Sequence, residues 1–252
     1  MVRTLSRTRN QLAGKTDVLV LCGGRGTRFR EVRQDIPKCL APIQGRPFLD
    51  LLLTSFIKQG FSNFILTTGY LGNQIRNYVN SRDDGSYKFT EEKELLGTGG
   101  ALKLAEEIVK TNPFLVVNGD SLVDYEFVKL IEDHNKTESD VSILLSSSTK
   151  GEAFGSVKME SDRRIVSFVE KTAPEQSSFT NAGVYCLNPT VLSSIDSGVP
   201  VSLEKECFPL WIDRFKVTGV RTTSQVYDIG TAERYDAAQQ IRFGASSESE
   251  SS

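Results

Sequence analysis

The chain of 252 residues is 38% hydrophobic and 25% charged, the balance of a globular protein with material for a sizeable core. Its net charge of -2 supplies no global field for nucleic acid or an anionic membrane, so any polyanion must be held by a local arrangement. No apolar run approaches the roughly 20 residues that span a bilayer. Four cysteines without CxxC spacing and a single histidine, His134, argue against a zinc site and for reduced thiols in a cytoplasmic setting.

The first segment, residues 1–15, carries Arg3, Arg7, Arg9 and Lys15 with no acid and no apolar stretch of the secretory kind, and reads as a disordered basic arm. Flat apolar runs at 17–21, 63–68 and 113–120 then read as strands of a parallel sheet covered on both faces, with a fourth strand at 140–147. Helical patterns fall between and after them at 47–59, 71–80, 99–110 and 125–136; Pro47 suits a first helical position and Gly60 a stop. This places His134 on a helix surface. Shorter strands follow around 154–160, 164–170 and 181–187, then a helix over 202–215 broken at Pro209, strand again from 216, and a closing helix from 231. The tail, residues 245–252, is low-complexity and reads as disordered. The pattern predicts one α/β domain over residues 16–244, with parallel strands first and a mixed-sheet extension after them.

The run "CGGRGTR" sits directly beyond the first strand, where open α/β sheets collect ligands. Gly23, Gly24 and Gly26 let backbone N–H groups converge on phosphate oxygens, Thr27 adds a hydroxyl, and Arg28 offers a guanidinium fork. Lys38 follows from a loop stiffened by Pro37. The run fits neither GxxxxGK[ST] nor GxGxxG, which disfavours a P-loop NTPase and a dinucleotide oxidoreductase.

What the run resembles is the signature of the sugar-1-phosphate nucleotidyltransferases, G-G-x-G-T-R, a spacer, then P-K. The resemblance continues in order through "EEKELLGTGG" (91–100), "NGD" (118–120), "FGSV" (154–157), "EKT" (170–172), "NAGVY" (181–185) and "DIGT" (228–231). It implies a Rossmann-like, GT-A-type fold: a mixed, mainly parallel central sheet flanked by helices, with a smaller sheet extension on the sugar side. The implied reaction joins a nucleoside triphosphate to a sugar 1-phosphate, releasing pyrophosphate. By the same resemblance Arg28, Lys38 and Asp120 are catalytic, and Cys22, Gly23, Gly24, Gly26, Thr27, Glu92, Gly97 and Thr98 surround the nucleotide. Gly155, Glu170, Lys171 and Asn181 hold the sugar phosphate, while Asp120 and Asp228 ligate Mg²⁺. Thr172 stands where the family often has proline. Arg25, Arg30 and Arg33 fall outside the matched positions and read as solvated surface, and Asp17 and Asp124 as capping or surface groups. Cys22 and Cys39 read as small buried hydrophobes, and Phe208, Trp211 and Phe215 as core or an oligomer contact.

Glu92 separates the candidate bases. A carboxylate only accepts hydrogen bonds, and guanine offers N1–H and N2–H side by side, whereas the thymidylyl and uridylyl members commonly have glutamine there. GTP is therefore the favoured nucleotide. The chain ends soon after "DIGT", and among compact members it most resembles the bacterial D-glycero-α-D-manno-heptose-1-phosphate guanylyltransferases. Mannose and N-acetylmuramic acid remain open as the sugar. Two further alternatives stand beside this one: uridylyl transfer, and a non-catalytic regulatory subunit that senses nucleotide-sugars. Homodimers are common in the family, and nothing in the sequence points to nucleic acid or membrane as a partner.

Overall fold

The computed structural model describes residues 2–24, 26, 35–147, 155–170 and 179–240, with residues 2–7 as backbone alone. In chain order the elements are α1 (Val2–Lys15), β1 (Asp17–Leu21), a 3₁₀ turn at Lys38–Leu40, β2 (Pro42–Ile43), β3 (Arg46–Pro47), α2 (Phe48–Ile57), β4 (Asn63–Thr68), α3 (Gly72–Asn80), β5 (Ser86–Glu91) and α4 (Gly97–Leu104). There follow β6 (Phe114–Asn118), β7 (Ser121–Val123), α5 (Phe127–Thr137), β8 (Val141–Ser146), β9 (Ser156–Met159), β10 (Ile165–Val169) and β11 (Phe179–Leu187). A 3₁₀ turn at Pro189–Ser194 and a π-helical turn at Leu203–Cys207 lead into α6 (Phe208–Arg214), β12 (Val217–Thr222), β13 (Val226–Asp228) and α7 (Ala232–Ala238).

The central sheet runs β10-β9-β11-β6-β1-β4-β5, with β8 joined to β11 and β12 to β8. Strands β5, β4, β1 and β6 are mutually parallel, and β11 turns the sheet antiparallel at β6. The flat apolar runs have their explanation here. Alternate residues serve opposite faces: Val18, Val20, Phe64, Leu66, Leu115 and Val117 pack on one side with α2, α3 and α5, while Leu19, Ile65, Phe114 and Val116 pack on the other with α4 and α6. Phe208 and Trp211 lie wholly in that second core, beside Tyr185. Each such side chain contributes about 1.5–3 kcal/mol through burial.

Expectations for two helical segments are corrected, and one strand was not anticipated. Residues 2–15 form a helix rather than a disordered arm; Ala13 is fully buried, and Arg9 pairs with Glu132 at 2.8 Å and Glu126 at 3.2 Å. His134 is buried, because Phe127, Leu130, Ile131 and His134 share the inner stripe of α5. The edge strand β5 had no strand signal, since its side chains alternate between exposed and half-buried with only Thr90 buried. The break at Pro209 is present in altered form: the π turn precedes it and Pro209 lies in the first turn of α6. Asp17 is neither a helix cap nor a surface group: it is buried, and its Oδ2 accepts the N–H groups of Lys110 at 2.7 Å and Thr111 at 3.2 Å in the loop before β6. Residues 241–252, including the tail, lie outside the described residues.

Candidate active site

The carboxyl ends of β1, β4 and β6 meet at the sheet's switch point, where Leu21 stands opposite both Thr67 and Asn118. A cavity of about 700 Å³ opens there, lined by Gly23, Gly24, Gly26, Glu92, Gly97 and Thr98 and by Gly155, Glu170, Asn181 and Glu204. Lys38, Asp120 and Asp228 line the same cavity, and Cys22 and Cys39 also reach its wall. Both cysteines are buried free thiols, and the neighbouring Cys39 thiol together with burial pushes the Cys22 thiol well up. Thr27, Arg28 and Lys171 lie outside the described residues, as do Arg25, Arg30, Arg33 and Thr172. Every other residue expected at the site borders this one cavity.

Asp120 follows β6 and Asp228 ends β13. The short β7–β13 ladder brings them together by pairing Asp228 with Ser121, and the Ile229 N–H donates to the Asp120 carbonyl at 3.1 Å. Each carboxylate has a cation beside it: the Lys38 ammonium on Asp120, and the Arg234 guanidinium on Asp228 at 2.7 Å. Burial alone would raise the Asp120 carboxyl, but Lys38 and the Ser121 hydroxyl outweigh it and hold it below the usual carboxylate range. Asp120 is thus an anion in a site that also presents two cations. Among the described residues no group of three or more metal-type ligands exists. A pair of carboxylates open to a cavity is nonetheless a donor set that suits Mg²⁺, which takes one or two carboxylates and completes its shell with phosphate oxygens and water.

Glu92 Oε2 accepts the Leu96 N–H at 2.9 Å, fixing the carboxylate against Gly23, where any Cβ would collide with Oε1. Burial raises the Glu92 carboxyl, and the Leu96 N–H partly offsets this. Thr98 faces the other half of the site: its hydroxyl donates to Glu204 at 2.8 Å and accepts the Leu203 N–H at 2.8 Å. The π turn sets Glu204 into the wall and Lys205 3.6 Å from Glu170. Burial also raises the Glu204 carboxyl, against the Thr98 hydroxyl.

Arg234, Glu204 and Lys205 escaped sequence reasoning. Arg234 lies three residues beyond "DIGT", one turn into α7, so only the helix register brings it back onto Asp228. Glu204 and Lys205 sit in "SLEKEC", which has the composition of any exposed helix.

The chain matches the nucleotidyl transferase family over residues 17–242. It is 31% identical over 224 residues to the D-glycero-α-D-manno-heptose 1-phosphate guanylyltransferase of Aneurinibacillus thermoaerophilus, covering 88% of this chain and 96% of that one. It is 32% identical over 228 residues to the mannose-1-phosphate guanylyltransferase of Mycobacterium tuberculosis, of which it spans 63%. The crystal structure of HddC from Yersinia pseudotuberculosis superposes with a TM-score of 0.79 at 30% identity, over 89% of this chain and 98% of that one. The same protein complexed with GMP-PN superposes at 0.76. The family match over residues 17–242 and the near-complete overlap with these relatives agree, and the chain belongs to the nucleotidyl transferase family.

Proposed function

We propose that this protein transfers GMP from GTP to a sugar 1-phosphate, D-glycero-α-D-manno-heptose 1-phosphate in the first instance, making a GDP-sugar for surface polysaccharide in the cytoplasm. The observation that carries the reading is the pairing of Asp120 with Lys38 and of Asp228 with Arg234 in the one cavity that Glu92 and Glu170 also line. The held carboxylate of Glu92, which can only accept, supports guanine. The likeness to the heptose-phosphate guanylyltransferase supports the sugar.

A phosphate oxygen of the sugar 1-phosphate attacks the α-phosphorus of GTP, the bond to the β-phosphate bridging oxygen breaks, and pyrophosphate leaves with that electron pair. The nucleophile is already anionic, because the second pKa of a phosphate monoester is about 6, and no general base is required. The obstacle is bringing polyanions together, so positioned positive charge supplies most of the acceleration. Mg²⁺ held by Asp120 and Asp228 would neutralise phosphate charge as a Lewis acid. Lys38 and Arg234 supply cations on the chain itself, joined by Arg28 from the signature loop. Lys171 and Lys205 serve the sugar phosphate, and Glu170 accepts from sugar hydroxyls.

The test is pyrophosphate release with Mg²⁺, crossing the four ribonucleoside triphosphates with heptose, mannose, glucose and N-acetylmuramic acid 1-phosphates. Release with GTP and the heptose phosphate is expected. Release with UTP alone would overturn the guanine assignment. Asp120→Asn should lower kcat roughly 10²- to 10³-fold while leaving GDP-sugar binding intact. Nucleotide-sugar binding without turnover by any pair would instead point to a sensor.

A further inference from the structure

Asp120 and Asp228 carry four carboxylate oxygens between them, and each has a partner. Asp120 Oδ2 takes the Lys38 ammonium, and its Oδ1 accepts the Ser121 hydroxyl at 3.2 Å. Asp228 Oδ2 takes the Arg234 guanidinium at 2.7 Å, and its Oδ1 accepts the Gly230 N–H at 2.7 Å. The two ion pairs share one corner of the cavity. A Cβ on Gly230 would stand 2.7 Å from Asp228 Oδ1, 3.8 Å from Lys38 Nζ and 3.9 Å from Arg234 Nη1. The Asp120 side chain is 35% exposed, so an ion in the cavity reaches it.

The local fold holds both cations in that corner. The Lys38 stem lies against Gly26, where a Cβ would be 3.2 Å from Lys38 Cβ, and Lys38 opens the 3₁₀ turn that follows Pro37. Arg234 stands in the first turn of α7, where the Thr231 hydroxyl accepts its backbone N–H. A divalent cation seated on Asp120 and Asp228 would therefore face an ammonium and a guanidinium at close range, and like charges in a partly buried site repel strongly. The polyphosphate of a nucleotide alters this, because its oxygens give both side chains another anionic partner.

We propose that Lys38 and Arg234 exclude a divalent cation from the two carboxylates until a nucleoside triphosphate takes up their charge, so that metal and triphosphate bind as a unit. The inference rests on the nucleotidyl-transfer reading and names the coupling between two of its ligands. The coupling is reciprocal: what the triphosphate adds to metal affinity, the metal adds to triphosphate affinity.

The experiment needs no turnover. Its probe is Mn²⁺, titrated by calorimetry into the full chain without nucleotide. Lys38→Met and Arg234→Met each remove one cation and keep an apolar stem, and the second variant decides the matter should the first fail to fold. Each should bind Mn²⁺ roughly 10- to 100-fold more tightly than the wild-type protein. With Mn²⁺ present, each should bind the triphosphate that the wild-type protein prefers roughly 10-fold more weakly, having lost a charged partner for it. Damage to the fold would weaken both ligands, so the opposite signs identify the exchange. Adding Asp120→Asn to Lys38→Met should remove the gain in Mn²⁺ affinity. A Mn²⁺ affinity unchanged or lowered in the variants overturns the proposal, and so does a gain that survives Asp120→Asn. Triphosphate binding by the wild-type protein without the Mn²⁺ gain in the variants overturns this inference alone. Failure of the wild-type protein to bind any of the four ribonucleoside triphosphates with Mn²⁺ overturns the transfer reading and this inference with it.

Discussion

At the residue scale, the site depends on polar groups whose freedom is already restricted. Glu92 is the sharpest case. One carboxylate oxygen is tied to the Leu96 N–H and the other lies over Gly23, so the group presents acceptors and cannot turn away. Glutamine at this position would set an N–H₂ against one of guanine's donors. Glu92→Gln should therefore lower kcat/KM for GTP roughly 10- to 100-fold, the value of a charged hydrogen bond, and raise the relative use of UTP. A GTP-to-UTP preference that does not move in steady-state kinetics would remove Glu92 from base selection. The pattern "EEKELLGTGG" made this glutamate visible; its anchoring needed the fold.

At the element scale, one junction links the two halves of the cavity. The N-terminal turn of α4 gives its Gly99 and Gly100 N–H groups to the Val201 carbonyl at 2.8 and 3.3 Å, and Thr98 bonds Glu204 in the π turn. These contacts bring the segment before the π turn onto the helix end. Gly97 permits this, with φ at +69° and the Val201 carbonyl oxygen 2.6 Å from where a Cβ would be. Gly97→Ala should cost about 1–3 kcal/mol through strain and collision, read as a lower urea midpoint. The KM for the sugar phosphate should rise with it, because Glu204 loses its Thr98 support. Unchanged stability would mean that the junction yields freely.

At the scale of the whole molecule, His134 ties α5 to the sheet and its flanking turn. Its ring nitrogens meet Ser142 Oγ at 2.9 Å and Asn188 Oδ1 at 3.1 Å, and Ser142 continues to Thr218 at 3.2 Å. Burial pulls the His134 pKa below 6.5, although Asn188, Asp140 and Asp133 act in the opposite direction. The unfolded chain then takes up a proton near pH 6.5 while the folded protein does not. Stability from this group is complete above that pH and is lost as pH falls from 6.5 toward the folded value, by at most about 1.4 kcal/mol per pH unit. Urea midpoints from pH 7.5 to 5 should decline less steeply for His134→Gln than for the wild-type protein. Parallel profiles would show that other groups carry the acid response.

The sequence by itself determined the parallel strands β1, β4 and β6, the helices that follow them and the glycine-rich run beyond β1, because these depend on neighbours along the chain: apolar runs, Pro47 at a helix start, glycines after a strand. Glu92, Asp120 and Asp228 were also legible, each in a short contiguous motif. Only the tertiary structure decided the rest. The β7–β13 ladder joins Asp120 to Asp228, helix register returns Arg234 to the site, and the packing of α5 buries His134. Local pattern specifies backbone conformation and hydrophobic faces, whereas the partner of a polar group is set by contacts between residues distant in sequence.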